Sequence, residues 1–506
     1  MTMALGNTAA ILRALTDDLA RKFDGTPYRA QIEAIGDRVN GPLRVALAGR
    51  VKAGKSTLLN ALVGERLAPT DAGECTRIVS WYRRGPRYEI VARLRAGNER
   101  PLEFRRDDGA LHVTLDGVAE RDVQYLDIRW PATALEKVTL IDTPGLASLD
   151  DENSRRTREF LDHDGDHVPD ADAVIYLMRH LHRSDVEFLD AFMDRSVAAA
   201  SPVNAVAVLS RGDEIGAGRL DAMDSARRIA QRYRDDATVR TLCATVVPMA
   251  GLLAETGLTL REDEAAALRA LAATPPETLD VMLLSAEQLC ELHVSDLTGE
   301  ARRALLERLG MYGVRAALEE IRAGASTAAD LGPKLVERSG LNELNRVIAQ
   351  HFLPRARVLQ ARTALVALRA LASELRTTDP TRSEYVDREA ERVEAGVVDF
   401  ARIRAAHLVA TGSARVDDAD RPELDRLFLA TTAPDALDLP GGADAGSLAA
   451  AALPVIARWR ERGADPLADP VQAEVFETAA RTGEAIYAMT REAQQPRTNR
   501  GDEAVA

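Results

Sequence analysis

The feature that most constrains the fold is a glycine-rich segment near the amino end of the chain. Residues 49–56 match the pattern G-x-x-x-x-G-K-[ST]. The segment follows an apolar run at Val45–Ala48 and opens an apolar helical stretch at Ser56–Val63, so it is predicted to join a buried strand to a helix. In such a loop, backbone N–H groups and the positive end of the helix wrap phosphate groups. The residues predicted to hold a nucleotide's phosphates are Gly49, Lys52, Ala53, Gly54, Lys55, Ser56 and Thr57.

Two further segments complete the predicted site for Mg²⁺ and the γ-phosphate. Lys55 is predicted to reach the β- and γ-phosphates, and the Ser56 hydroxyl is predicted to bind Mg²⁺. Asp142 follows a second apolar strand in Asp-Thr-Pro-Gly, where it would hold the metal through water, while the amide of Gly145 senses the γ-phosphate. Thr76 lies in a loop that, in GTPases, closes over Mg²⁺ and opens after hydrolysis. The predicted metal ligands are therefore Ser56, Thr76 and Asp142.

The choice of base depends on a loop after a third apolar strand, at 205–209. Ser210-Arg-Gly-Asp stands where GTPases carry [NT]-K-x-D. The Asp213 carboxylate can accept hydrogen bonds from both N1–H and N2–H₂ of guanine, whereas adenine offers no such pair of donors. Arg211 replaces the usual lysine and could stack on the purine. Ser210 and Ala250 are predicted to complete the base site, with Ala250 supplying a backbone contact.

Many small GTPases orient the attacking water with a glutamine directly after D-x-x-G, but Leu146 occupies that position here. Another group must therefore promote hydrolysis. Lys52 lies three positions before Lys55, close to the oxygen that would bridge the β- and γ-phosphates. Negative charge develops on that oxygen in the transition state. Our hypothesis is that the Lys52 ammonium replaces a monovalent cation and makes turnover independent of K⁺. The alternative is a solvated surface lysine. The predicted catalytic residues are Lys52, Lys55, Thr76 and Gly145.

Composition sets the wider limits. The chain has 506 residues, a net charge of −14 and only 4% aromatic residues. A surface this acidic repels phosphate backbones, so nucleic acid is not an expected partner. The three cysteines are far apart and odd in number, which fits a reducing cytoplasm. Charged residues within 1–22 argue against a signal peptide, and no apolar run is long enough to predict a membrane-spanning helix.

Apolar periodicity predicts two kinds of architecture. Short apolar runs separated by helical stretches indicate an α/β head with a mixed, mainly parallel sheet, and the alternating stretch 79–135 indicates antiparallel strands at one edge. Residues 3–39 are predicted to be helical. After about residue 260 only helical spacing remains, including the helices predicted at 384–411, 446–462 and 470–492.

These motifs resemble those of the bacterial dynamin-like GTPases. The resemblance rests on 49–64, on Cys-Thr-Arg at 75–77, on Asp-Thr-Pro-Gly at 142–145 and on Ser-Gly-Leu-x-x-Leu-x-x-x-Ile at 339–348. Three other segments resemble the isoniazid-inducible proteins of actinobacteria, and their C type in particular. Those segments are 68–72, 210–219 and 305–313.

The resemblance implies a large GTPase whose heads pair across their nucleotide faces, as a homodimer or with a second dynamin-like protein. It also implies a helical neck and stalk and a role in binding, bending or repairing the cytoplasmic membrane under envelope stress. The domains that it implies are an N-terminal helix joining the neck (1–40), a GTPase domain (41–255), a helical extension of the head (256–355), a neck and stalk (356–493) and a disordered tail (494–506).

Contact with lipid is the least determined part of this interpretation. The run Ser447–Ile456 is the best apolar candidate for a membrane contact, but a helix buried against its neighbours explains it equally well. Two alternatives therefore stay open beside a GTPase acting at a membrane. One is a regulatory GTPase that acts through a protein partner, and the other is a scaffold that binds GTP without hydrolysing it.

Overall fold

The computed structural model describes residues 8–68, 78–107, 110–115, 117–143, 171–180, 202–292, 297–410, 412–465 and 469–494, and the single positions 186 and 189. The described residues fall into two compact units. The sheet unit comprises those of Gly41–Phe192 and Pro202–Ala356, and the helical unit those of Met1–Asn40 and Arg357–Ala506. The domain limits given above remain a prediction.

One nine-stranded sheet forms the centre of the sheet unit, with strand order β11-β10-β9-β1-β8-β2-β7-β3-β4. A separate ribbon pairs β5 with β6. The strands are β1 Leu43–Gly49, β2 Ser80–Arg84, β3 Glu89–Leu94, β4 Glu99–Pro101, β5 Phe104–Asp107, β6 Ala110–Val113, β7 Val123–Trp130, β8 Val138–Asp142, β9 Ala173–Met178, β10 Ala205–Leu209 and β11 Val246–Pro248.

The sheet confirms the predicted mixed, mainly parallel architecture. β1 pairs in parallel with β8 on one side and β9 on the other, and β10 and β11 continue the parallel part. Every residue of β9 and β10 is buried, which explains their continuous apolar sequences. The edge is less uniform than expected, because β3 and β4 are antiparallel but β2 and β7 pair in parallel. The long excursion between β2 and β7 supplies the crossover that a parallel pair requires.

Helices make up most of the rest of the described chain. In chain order they are α1 Thr8–Lys22, α2 Tyr28–Arg38, α3 Lys55–Val63, α4 Ala222–Asp235, α5 Ala237–Leu242, α6 Gly251–Thr259, α7 Glu262–Ala272, α8 Pro276–Met282, α9 Ala286–Glu291, α10 Gly299–Arg322, α11 Ala328–Ser339, α12 Leu341–Val347, α13 Ala356–Leu375, α14 Pro380–Gly396, α15 Val398–Ala410, α16 Arg421–Leu429, α17 Ala433–Ala436, α18 Ala445–Gly463 and α19 Pro470–Gln494.

Two predicted helices are each divided in the structure. The helix expected over 3–39 is α1 and α2, because Gly25 adopts a positive φ of 74° that ends the first helix. The helix expected over 384–411 is α14 and α15, which meet at Val397, a residue with extended φ and ψ. In both cases the apolar spacing continues across the break, so periodicity alone could not locate it.

The helical unit has its own apolar core. Trp459 of α18 stacks on Phe476 of α19, and both pack with buried side chains of α15 and α16. The candidate apolar run divides between inside and outside: Leu448 and Ala452 are fully buried, whereas Leu453 is 51% exposed. Among the helices that the structure describes, none is long and apolar enough to cross a bilayer. The predicted tail lies outside the described residues apart from its first position.

Candidate functional site

The glycine-rich loop lies where β1 leaves the middle of the sheet. Gly49 has a φ of 145°, and a Cβ there would overlap the backbone carbonyl of Leu177 on the neighbouring strand, so only glycine fits. Gly54 has a φ of 96° and caps the amino end of α3. Between them the Ala53 N–H donates to the Arg50 carbonyl at 3.1 Å, which closes the loop. The loop therefore directs the start of α3 outward at the carboxyl edge of the sheet.

Lys55 lies over this loop. Its Nζ donates to the carbonyl oxygens of Gly49 at 3.1 Å and Arg50 at 3.3 Å. Burial lowers the pKa of the Lys55 ammonium, and the nearby Asp142 carboxylate opposes that effect. An ammonium held by neutral carbonyls and poorly solvated gains strongly from a nearby phosphate, because the phosphate adds the negative charge that the loop lacks.

The residues that could hold a metal lie beside this lysine. The Ser56 hydroxyl donates to Asp142 Oδ2 at 3.1 Å, while Asp142 Oδ1 is buried and has no hydrogen-bond partner in the described structure. Burial raises the pKa of Asp142, and Lys55 and Ser56 oppose the shift. A hydroxyl and a carboxylate with one unmatched oxygen are hard ligands of the kind that Mg²⁺ prefers. These residues thus fit the predicted cation. Thr76 and Gly145 lie outside the described residues.

The loop predicted to bind the base, residues 210–218, follows β10 and is called the base loop. It contacts the glycine-rich loop at 49–57, called the phosphate loop. The Ser210 N–H donates to the Met178 carbonyl at 2.8 Å, which fixes the start of the loop to β9. Arg211 has a φ of 56° and directs its guanidinium to the Lys52 carbonyl at 3.1 Å and to Glu214 at 2.6 Å. The structure therefore brings the two predicted loops together, although they are separated by about 160 residues of sequence.

Asp213 is the buried carboxylate of this loop. Its side chain is 8% exposed, and burial raises its pKa to about 6. The Arg211 charge opposes that shift but does not cancel it. An ionised carboxylate in this position lacks solvation, and a ligand with two adjacent N–H donors would restore it.

Two other residues predicted to contact the nucleotide, Thr57 and Ala250, lie near each other. The Ala250 N–H is already used in a hydrogen bond within the protein. A Cβ on Gly251, the first residue of α6, would lie 3.5 Å from Thr57 Cγ2, so the start of α6 packs on α3. The Ala250 N–H donates to the Ser339 carbonyl at 2.8 Å. Any backbone contact from Ala250 to a base must therefore use a group other than its amide. Lys52 has a φ of 62° and is exposed.

Sequence reasoning missed the part played by α10. At Gly310 this helix is interrupted by non-helical angles, φ 65° and ψ 172°, beside Asp213. Arg315 of the same helix donates to carbonyls of the base loop. Residues 305–313 contributed to the family resemblance, but no spacing rule connects them with Asp213. An unexplained glycine inside a helical pattern was the available signal.

A glycine-rich loop between β1 and α3, with Asp142 and the base loop at the ends of neighbouring strands, is the fold of a P-loop GTPase. Comparison with known proteins narrows the class. The model of the dynamin family matches residues 45–196. The isoniazid-induced protein IniC of Mycobacterium tuberculosis is 37% identical over 493 residues, which cover 95% of this chain and 99% of that protein. This chain belongs to the bacterial dynamin-like GTPase family, in its IniC type.

Two more distant similarities accompany this one. The bacterial dynamin-like protein of Nostoc punctiforme is 28% identical over 151 residues, which are 28% of this chain and 20% of that protein. A solved structure described as an oligomerised bacterial dynamin pair covers 77% of this chain and 79% of its own, at 13% identity and a TM-score of 0.29. The family resemblance predicted from the motifs is confirmed by the IniC match.

Proposed function

We propose that this chain binds GTP with Mg²⁺ and hydrolyses it to GDP and phosphate. One observation carries the choice of nucleotide: a buried carboxylate, Asp213, with a pKa raised to about 6 and held beside the phosphate loop through Arg211 and Lys52. Guanine presents N1–H and N2–H₂ side by side, and these two donors match the two carboxylate oxygens. Adenine presents no such pair, so ATP should bind much less tightly.

The residues divide the work by position. Lys55 binds the β- and γ-phosphates, and the phosphate loop from Gly49 to Thr57 holds the nucleotide through backbone N–H groups. Ser56 and Asp142 hold Mg²⁺, which neutralises phosphate charge when bound. Thr76 and Gly145 are assigned from sequence to ordering of the loops over the γ-phosphate.

Lys52 is proposed to supply charge where the small GTPases use other groups. Its backbone is fixed in a left-handed conformation, and its carbonyl is held by Arg211. That arrangement holds the Cα in place while the exposed side chain remains available to reach the bridging oxygen. Since Leu146 cannot orient a water molecule, a cation at this point would provide much of the acceleration.

The base assignment is tested by exchanging one hydrogen-bond pattern for another. In Asp213→Asn, the side-chain amide can donate to the O2 carbonyl of xanthine, whereas it cannot accept both guanine donors. We expect calorimetry with Mg²⁺ to show that the wild type prefers GTP to XTP and ATP, and that the variant prefers XTP. A wild type that binds ATP as tightly as GTP would refute the proposal.

We further propose that nucleotide-dependent pairing of heads, with a second copy or with another dynamin-like protein, is coupled to membrane binding, remodelling or repair. Support comes from membership of the family and from Leu453, which is 51% exposed on α18. The chain would then be cytoplasmic and would bind peripherally to the cytoplasmic face of the membrane. The alternative is a GTPase or GTP-binding scaffold that acts through a protein partner without lipid.

Liposome co-sedimentation with and without a non-hydrolysable GTP analogue separates these proposals. A lipid-binding protein should sediment with vesicles and lose that ability in Leu453→Asp, while a scaffold should remain in the supernatant in every condition. Turnover measured against protein concentration tests pairing, because paired heads should give a rate per head that rises with concentration. A flat rate per head would contradict it.

A further inference from the structure

The base loop begins with a 3-10 turn, Gly212–Glu214, but its second part has little structure of its own. Gly216, Ala217 and Gly218 have φ values of 64°, 59° and 68°, so three successive residues adopt left-handed angles. Such a run forms neither a helix nor a strand, and its carbonyl groups face away from any regular ladder. Something outside the loop must therefore satisfy those carbonyls and hold residues 216–218 in place behind Asp213.

Arg315 of α10 satisfies them. One nitrogen, Nη1, donates to the Ala217 carbonyl at 3.0 Å and also to the Gly218 carbonyl, and Nη2 donates to the Leu283 carbonyl at 2.5 Å. Burial and the neighbouring Arg219 lower the pKa of Arg315. No carboxylate pairs with Arg315 among the residues that the structure describes. Its charge is used to hold backbone, which suits the rigid fork of a guanidinium.

The interruption of α10 contacts the same loop. A Cβ on Gly218 would lie 3.0 Å from the Tyr312 nitrogen and 3.2 Å from Met311 Cβ, so the two backbones are closely packed. A Cβ on Gly310 would lie 3.5 Å from Asp213 Oδ2. With φ at 65°, Gly310 allows α10 to turn there and places no side chain of its own against the carboxylate.

The other half of α10 is anchored separately. Arg308 Nε donates to Glu264 of α7 at 2.9 Å, and its Nη2 donates to the hydroxyl of Thr259 at 2.9 Å. The Thr256 hydroxyl of α6 donates in turn to the Arg308 carbonyl. The segment around Gly310 is thus held from both sides, and it can act as a fixed support for the base loop.

We propose that Gly310 and Arg315 are positioning residues for base recognition: α10 holds the loop 213–218 so that both Asp213 oxygens face the guanine donors. This inference rests on the proposed GTP binding. A carboxylate discriminates by a pair of hydrogen bonds only while its orientation is fixed, because a mobile loop would let one bond form without the other. The expected effect is therefore on discrimination between bases rather than on phosphate binding.

The test compares GTP with ITP, which lacks the N2 amine and can make only one of the two bonds. Loss of one hydrogen bond to a charged group should weaken binding by roughly 10-fold or more, so the wild type should bind GTP at least that much more tightly than ITP. In Arg315→Ala the ratio of the two Kd values should fall below a third of the wild-type ratio. Arg322→Ala, an exposed arginine in the last turn of α10, is the matched control and should keep the full ratio.

Two further variants keep the test decisive if Arg315→Ala folds poorly. Arg315→Lys retains the charge but not the fork, and should reduce the ratio partially. Gly310→Ala should reduce it as well, whereas Gly324→Ala, which is also at positive φ but in open space, should not. Equal losses of affinity for GTP and ITP, or an unchanged ratio in the folded variants, would overturn the inference. A wild type without preference for guanine would instead overturn the proposed function itself.

Discussion

Removing the charge at position 213 should stabilise the nucleotide-free protein while destroying the proposed preference for guanine. Asp213 is 8% exposed, and burial raises its pKa to about 6. At neutral pH the folded protein therefore holds a buried carboxylate ionised against the preference of its surroundings. Asparagine has nearly the same shape and no charge, so Asp213→Asn removes that penalty without leaving a cavity.

The magnitude follows from the pKa. The difference between the ordinary value of 3.8 and about 6 corresponds to a penalty of about 3 kcal/mol in the ionised state. The asparagine amide carries a desolvation cost of its own, about 1 kcal/mol at the low end for a buried polar group. A net gain of about 2 kcal/mol remains. For a unit of this size, that gain should raise the melting temperature by roughly 4 °C.

The pH dependence identifies the cause. Below pH 3.8 the Asp213 carboxyl is protonated in both the folded and the unfolded chain, so its pKa shift contributes nothing. Between that value and about 6 the unfolded chain ionises first, and stability falls as pH rises. Above about 6 the full loss is present. The advantage of Asp213→Asn should therefore grow across this window and then become constant.

Differential scanning calorimetry without nucleotide measures this directly, on wild type and variant in steps from about pH 4.5 to about pH 8. Asp221→Asn is the matched control, because Asp221 is exposed in the same segment and its side chain caps no helix N–H group. We expect the control to match the wild type throughout. The reasoning is refuted if Asp213→Asn melts below the wild type at neutral pH, or if the difference between the two does not change with pH.

Two other expectations concern charge elsewhere in the sheet unit. Burial also raises the pKa of Glu255, but this carboxylate, 4% exposed, pairs with Arg66 at 3.1 Å and Arg308 at 3.8 Å. Glu255→Ala should lower the melting temperature by an amount corresponding to about 3 kcal/mol, because alanine removes the carboxylate from two partly buried guanidiniums; unchanged melting would contradict a buried network. Lys52→Ala should reduce GTP turnover by about 100-fold in both NaCl and KCl; a variant that keeps wild-type kcat in both salts would show that Lys52 is a solvated surface lysine.

The strand-and-loop part of the fold could be predicted because its signals are local. Wrapping a phosphate takes consecutive backbone N–H groups, so Gly49 and Gly54 must stand in a short segment between a strand and a helix. Asp142 could be placed beside Ser56 for a related reason. The motif follows an apolar strand, and parallel strands present their carboxyl ends at one edge of the sheet.

Other features left no signal in local spacing. The positive φ at Gly25 and the extended angles at Val397 divide helices whose apolar periodicity continues across the break. The parallel pairing of β2 with β7 depends on which strands meet across the excursion between them. Arg315 lies 97 residues from the Gly218 carbonyl that it holds. Contacts of this kind are tertiary, and a single sequence gives the residues without the partner.

Arg211, which replaces the lysine of the [NT]-K-x-D motif, also acts through tertiary contacts. A lysine in [NT]-K-x-D is a point charge on a flexible stem, whereas Arg211 donates in two directions, to the Lys52 carbonyl and to Glu214. The substitution thus ties the base loop to the phosphate loop on one side, while Arg315 ties it to α10 on the other. A loop held by two guanidiniums needs less order of its own, which is why Gly216, Ala217 and Gly218 can all adopt left-handed angles there. Arg211 departs from the motif, and its contacts in the structure give a physical reason for an arginine at that position.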